Sequence, residues 1–120
     1  ALSKMLKEYS DISHIKIELD YEWGNANFQK TTENIIFRVI EETVTNSLRH
    51  GHATKIWIKC TSNNYSYILS IHNNGKSETH IKPDYGITQM RERLTIINGT
   101  VEFDGEKGFT TVVKFPKVGV

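Results

Sequence analysis

TTENIIFRVIEETVTNSLRHG, residues 31–51, is the stretch on which the fold of this chain turns. Wound at about 100° per residue, it gathers Ile36, Phe37, Ile40, Val44, Ser47 and Leu48 on one mostly apolar face. That face predicts a long helix lying against a sheet. On another side Glu42, Asn46 and Arg49 fall together, because residues three or four apart are neighbours on a helix surface. Glu42 can act as a base or polarise a water. Asn46 offers a neutral amide oxygen that a hard cation such as Mg²⁺ accepts. Arg49 and His50 bring fixed and switchable positive charge beside them. The same residues would also suit a solvent-facing helix surface with no chemistry at all.

Outward from the helix, the N-terminal side reads as a short amphipathic lead-in and a strand. Leu2, Met5, Leu6 and Tyr9 fall at helical spacing, whereas Ile15, Ile17, Leu19 and Tyr21 alternate with Lys16, Glu18, Asp20 and Glu22. Gly24 and Asn25 mark a turn, and Thr31 or Thr32 is placed to cap the long helix. Gly51 is placed to end it as a left-handed cap. Next come KIWIKC, a second strand, an Asn63-Asn64 turn, and YSYILSIHN, a third strand apolar at Tyr65, Tyr67, Leu69 and Ile71. NNGKSETHIKPDYG is too long and polar for a simple connection. A shorter helix follows, burying Ile87, Met90, Leu94 and Ile97 and stopping at Gly99. The chain closes on a hairpin turned by Asp104, Gly105, Glu106, Lys107 and Gly108. Strand–helix–strand–strand–helix–strand–strand predicts an α+β fold, a two-layer α/β sandwich with helices on one face of a mixed sheet.

Composition narrows the function classes. At 120 residues, 38% hydrophobic and 24% charged, the chain is the size and make-up of one globular domain. A formal net charge of +1, with no cluster of Lys and Arg, argues against nucleic acid as a partner. The single Cys60, inside IWIKC, reads as a small buried hydrophobe suited to a reducing compartment. No apolar run reaches membrane-spanning length and no leader is recognisable, so a cytoplasmic location is expected. Residues 1–12 are expected to continue an upstream helical segment, and residues 13–120 to form the domain.

Several stretches carry a family resemblance. EETVTNSLRHGHATKIWI resembles the N box of the ATPase superfamily of gyrase, Hsp-type chaperones, histidine kinases and mismatch-repair proteins. It is closest to sensor histidine kinases of the nitrate-sensor and lipid-sensor type. GITQMRERLTIINGTVEF is similar to their G-L-x-G-M-R-E-R-V…G-G-T-V stretch, and GFTTVVKFP to their closing G-T-x-V-x-V-x-L-P. The likeness runs in register from the first strand to Pro116.

The resemblance implies a Bergerat-type ATP-binding domain that passes the γ-phosphoryl group of ATP to a histidine on a separate dimerisation domain. It implies a response regulator as downstream partner and a homodimeric parent protein, the isolated domain being monomeric. Asn46 would ligate the Mg²⁺ that bridges the phosphates, and Glu42 would orient a water or metal-bound group. Arg49 and His50 would approach phosphate or ribose. Asn73, Gly75 and Lys76 match the adenine box, Gly75 letting the backbone come close to the base. Gly86 and Ile87 match the far end of a lid, roughly Lys76 to Tyr85, where a helix start presents amides to phosphate. Thr110 or Thr111 would lie by the adenine. None of the five histidines has the setting of a phosphoacceptor.

Departures from the pattern open other readings. The adenine box usually reads D-x-G-x-G, but Asn73 stands for its aspartate and Ser77 for its second glycine; Asp84 replaces a lid glycine. A degenerate domain serving as a docking or regulatory module is one alternative. An anti-sigma-factor type of serine kinase is another, and the M-R-E-R-L match argues against it. An amide at position 73 that is free to flip would serve guanine as well as adenine. If the lid reading holds, Mg·ATP will slow proteolytic cutting near Lys76 or Lys82; equal rates with and without nucleotide would count against it.

Overall fold

A computed structural model describes residues 2–49, 53–75, 87–105 and 108–118. The elements are α1 (Leu2–Ser13), β1 (Lys16–Tyr21), α2 (Lys30–Arg49), β2 (Lys55–Ser62), β3 (Ser66–Asn73), α3 (Ile87–Thr95), β4 (Thr100–Asp104) and β5 (Phe109–Pro116). They form one 5-stranded sheet in the order β1-β2-β3-β5-β4. Only β1 and β2 run parallel; the remaining pairs are antiparallel. A parallel neighbour needs a crossover of a dozen or more residues, and α2 supplies it. The mixed sheet and the two layers are those the sequence implies.

Alternation decides which face of the sheet is core. Ile56, Ile58 and Cys60 of β2, Leu69 and Ile71 of β3, and Val113 and Phe115 of β5 point inward and are buried. Their neighbours Trp57, Lys59, Ser70, His72, Val112 and Lys114 are half-buried or exposed on the other side. Against the inner face lie Leu6 of α1, Ile35, Ile36, Val39, Ile40 and Val44 of α2, and Met90 and Leu94 of α3, in one continuous cluster. An aromatic group closes the far end. Trp23 meets Phe28, Tyr67 and Phe115 edge-on at ring separations of 5.4, 5.7 and 5.9 Å. Its indole N–H donates to the Thr61 carbonyl at 2.6 Å.

Several sequence expectations need correction. The stripe on α2 is centred one residue away from its expected axis. Thr32, Ile35, Ile36, Val39, Ile40, Thr43, Val44 and Ser47 are buried, while Phe37 and Leu48 are half-buried on its flanks. Thr43 and Ser47 enter the core because their hydroxyls donate back to the carbonyls of Val39 and Thr43, at 2.7 and 2.8 Å. Neither Thr31 nor Thr32 caps the helix. The turn closes one step earlier, with Glu33 N–H donating to the Gln29 carbonyl at 3.0 Å, and Thr32 packs inward. Tyr65 is 81% exposed because the chain is still turning there, its N–H held by the Asn63 side chain at 2.8 Å. Tyr21, at the end of the edge strand, is also exposed. The left-handed residue after α3 is Asn98 (φ 55°), not Gly99. Gly99 is needed for close approach, since a Cβ there would sit 3.3 Å from the Leu94 and Lys114 carbonyl oxygens. Gly51 lies outside the described residues.

Two measurements test this core. Leu69→Ala, at a site with no exposure, will cost about 2–5 kcal/mol of unfolding free energy in a denaturant titration. The Cys60 thiol, pushed up to about 12 by burial and then by the Asp20 charge, keeps its proton where the unfolded chain's thiol, ordinarily at 9.0, loses it. The unfolded state then binds fewer protons, so stability falls as pH rises from about 9 toward 12. Replacing Cys60 by Ala will flatten that fall in the denaturation midpoint.

Candidate functional site

The inner face of β3 runs Leu69, Ile71, Asn73, so alternation carries a carboxamide into the layer where aliphatic side chains precede it. Asn73 is only 3% exposed. Its Oδ1 accepts from Gly75 N–H at 2.9 Å, and its Nδ2 donates to Ser47 Oγ at 2.9 Å. A backbone N–H can only donate, so the atom facing Gly75 is the oxygen and the nitrogen faces Ser47. The Ser47 hydroxyl, whose proton goes to the Thr43 carbonyl, is left to accept. The amide is therefore pinned. Flipping it would set NH₂ against the Gly75 N–H, so the flipped amide that would serve guanine is disfavoured by the chain's own hydrogen bonds.

Its neighbours in the N-N-G stretch divide the work. Asn74 is structural: its Oδ1 accepts from the Thr54 and Lys55 N–H groups, both at 3.0 Å, closing the start of β2. Gly108 brings β5 in over the Asn73 carbonyl with φ +90°, where a Cβ would lie 2.3 Å from that oxygen. Side-chain direction settles the two threonines. His72 faces Thr110 across β3 and β5, and His72 Nδ1 lies 2.7 Å from Thr110 Oγ1 on the outer face. Thr111, 1% exposed, is on the inner face with Asn73. Thr110 thus lies on the opposite side of the sheet from the buried amide, and Thr111 is the candidate of the two. Its Oγ1 is buried and has no hydrogen-bond partner among the described residues.

The same end of α2 carries the polar stripe. Ser47, bonded to Asn73, adjoins Asn46 in the chain, and Thr43 adjoins Glu42. Asn46 is exposed and Glu42 half-buried. Glu42 is not free beside Asn46 and Arg49 as its spacing suggested. Arg93 of α3 donates from Nη1 to Glu42 Oε1 at 2.5 Å, while Glu42 Oε2 is buried without a partner among the described residues. Sequence reading missed Arg93; its only signal was its place in MRERL. Arg49 ends α2 and Ile87 begins α3, but their side chains are outside what is described. His50, Lys76, Gly86 and the lid, Lys76 to Tyr85, lie outside the described residues altogether.

Two buried polar atoms, Thr111 Oγ1 and Glu42 Oε2, have no hydrogen-bond partner among the described residues. Such atoms are costly unless something fills them. The donor set is one a nucleotide could use: a base would offer donors and acceptors to Thr111 and Asn73, and a phosphate-bound Mg²⁺ would find a neutral oxygen at Asn46, with the Glu42 carboxylate as acceptor for a metal-bound group. Among the described residues there is no group of three or more His, Cys, Asp or Glu that could hold a metal. An ion here would take most of its ligands from phosphate and water, as Mg²⁺ does. Ser47→Ala tests the arrangement, since it leaves the Asn73 Nδ2 without its acceptor. We expect a loss of about 1–3 kcal/mol in unfolding free energy and a weaker response to added nucleotide; an unchanged denaturation midpoint would contradict the buried network.

No protein-family model matches the chain. By sequence it is similar to the sensor histidine kinase LiaS of Bacillus subtilis, 28% identical over 116 residues, 94% of this chain and 32% of LiaS. It is also similar to the sensor protein VraS of Staphylococcus aureus, 28% identical over 89 residues, 72% of this chain and 26% of VraS. The chain thus spans about a quarter to a third of the length of these curated relatives. By structure it superposes on the histidine kinase domain of the Erythrobacter litoralis blue-light activated histidine kinase with a TM-score of 0.82 at 13% identity, covering 96% of this chain and 58% of that one. The catalytic domain of the histidine kinase ThkA gives 0.69 at 12% identity, covering 94% and 85%. At these identities the superpositions speak for the fold, and the sequence relatives speak for the kind of protein. The chain is thus similar in sequence to sensor histidine kinases and shares the fold of histidine kinase catalytic domains.

Proposed function

We propose that this domain binds Mg·ATP at the polar end of its sheet and presents the γ-phosphoryl group to a histidine on the dimerisation domain of its parent protein. A response regulator would receive the phosphoryl group afterwards, and the parent would act as a homodimer. The observation that supports the reading is a fixed amide, Asn73, on the seam of α2 and β3, together with two buried polar atoms, Thr111 Oγ1 on β5 and Glu42 Oε2 on α2, that have no partner among the described residues. In this reading Thr111 and Asn73 would face the base, and Glu42 and Asn46 would serve the phosphate end.

Phosphoryl transfer asks the protein mainly for positioning and charge compensation. Asn46 supplies a neutral oxygen for the metal, and the metal neutralises phosphate charge when bound. Glu42 holds a water or a metal-bound group by one oxygen. Asn73 and Thr111 orient the base, with Gly75 at its edge. Arg49, His50, Lys76, Gly86 and Ile87 remain candidates for phosphate and ribose contacts. The reading keeps the acceptor histidine on another domain. No helix among the described residues is long and apolar enough to cross a membrane.

A second reading has its own observation. Both ends of the Asn73 amide already have partners within the chain, so a domain that docks without turning over nucleotide would also be self-consistent. Calorimetric titration with Mg·ATP separates the two: saturable binding supports the kinase reading, and none supports the docking module. Asn46→Ala will abolish the Mg²⁺ dependence of nucleotide binding while leaving the denaturation midpoint within about 0.5 kcal/mol, as for other surface changes. An unaltered Mg²⁺ response would remove Asn46 from the site. With a cognate histidine-bearing domain, label from ATP is expected on that domain and not on the histidines of this chain.

A further inference from the structure

The Glu42–Arg93 contact is unusual for a pair that serves stability alone. Guanidinium and carboxylate commonly meet as a fork with two parallel bonds. Here one nitrogen meets one oxygen at 2.5 Å, with 26% of the Arg93 side chain and 24% of the Glu42 side chain exposed. The second oxygen, Oε2, is buried and has no partner among the described residues. A clip between helices would do as well with both oxygens bonded, or with an apolar pair. An acceptor left unmet costs more than a typical hydrogen bond returns. It also sits one helical turn from the exposed amide of Asn46.

The two arginines of α3 have separate duties. Arg91 Nη1 donates to the Val101 carbonyl at 3.2 Å, and its guanidinium lies 5.7 Å from the Phe103 ring centroid, tying α3 to β4. Arg93 reaches the other way, to α2. We propose that Arg93 is a positioning residue of the nucleotide site. By holding Oε1 it fixes the Glu42 side chain and leaves Oε2 as the acceptor for a water carried by the metal of Mg·ATP. This rests on the nucleotide reading above and adds to it a residue that never touches the nucleotide. The role also explains why a glutamine would fail at position 42: Arg93 would claim the amide oxygen, and NH₂ would face the water that needs an acceptor.

The test is titration of the 120-residue chain with ATP, once in excess Mg²⁺ and once in chelator, for the parent, Arg93→Met, Arg93→Lys, Glu42→Gln and the Arg93→Met/Glu42→Gln double variant. Losing an outer partner of a metal's ligand shell commonly costs about 10–100-fold. We expect Arg93→Met to weaken binding about ten-fold in Mg²⁺ and to leave it unchanged in chelator. Glu42→Gln should match that loss, and the double variant should add nothing further, because the two act as a unit. Arg93→Lys should restore part of the loss. Arg91→Met, as a control on α3, should leave both affinities alone. Equal losses with and without Mg²⁺, or independent additive losses, would make the pair merely structural and overturn the proposal. If Arg93→Met does not fold, Arg93→Lys and Glu42→Gln decide by the same split. A parent that binds no Mg·ATP would bring down the nucleotide reading and this inference with it. A parent that binds, beside an Arg93→Met variant that binds identically, would bring down this inference alone.

Discussion

Helix α2 has to be a core element and a wall of the site at once, and the seam it forms with β3 is the constraint on which the rest depends. For most of its length the seam is aliphatic, with Ile36, Val39, Ile40 and Val44 on the helix and Leu69 and Ile71 on the strand. At its last turn the material changes to Thr43, Ser47 and Asn73, all buried. A polar group at that depth is tolerated only with partners. The chain meets this condition by having the helix bond its own carbonyls and then offer Ser47 to the strand. The helix is thereby fixed in rotation, and rotation is what sets where Glu42 and Asn46 face. A slip of α2 by one residue would swing them by about 100°, away from the end of β3. Packing and site are specified by the same register.

Much of the architecture was legible because it depends on period. The alternation in HIKIELDYE, KIWIKC and YSYILSIHN and the spacing of Met90, Leu94 and Ile97 are local patterns, and burial follows them. What escaped was of three physical kinds. Hydropathy ranks Thr43 as a surface residue, yet a helix gives its hydroxyl an acceptor one turn back, as it does for Ser47 on the expected inner face, so it buries without loss. Thr110 and Thr111 point to opposite faces, but which points inward is undecided until the strand's register against β3 is known. The Arg93–Glu42 pair joins residues 51 apart, and no local pattern announces a contact at that separation. The glycines show the same limit. Gly108 looked like one turn residue among several, whereas its place is set by the Asn73 carbonyl, which belongs to another strand.

The replacement of a carboxylate by Asn73 looks at first like simple loss. The resemblance places an aspartate there, and hydrogen bonds to a charged group are worth roughly 1.5–3 kcal/mol net against roughly 0.5–1.5 for a neutral pair. The hydrogen bonds around Asn73 show that the change is not confined to one residue. With an amide, Nδ2 donates to Ser47, and the Ser47 proton is free to go to the Thr43 carbonyl. With a carboxylate, both groups facing each other would be acceptors unless the Ser47 hydroxyl turned away from the helix and donated to the strand. The identity of residue 73 therefore dictates the direction of a hydrogen bond on α2.

That coupling bears on what the empty seam does by itself. A carboxylate buried to this degree needs several donors to stay charged, and within the chain it would have the Gly75 N–H and a reoriented Ser47. It would be a site completed by its ligand. The amide is largely complete already, with one bond given and one received, so less of its free energy is left for a base to claim. Among the described residues the buried atoms without partners lie instead on Thr111 of the neighbouring strand and on Glu42 of α2. For the nucleotide proposed here, the base would then contribute less to binding, and the phosphate end, with Asn46, Glu42 and the metal, would contribute more. Selectivity would then rest less on which base is present than on whether a triphosphate and its cation arrive together, which is the discrimination a phosphoryl donor site needs most.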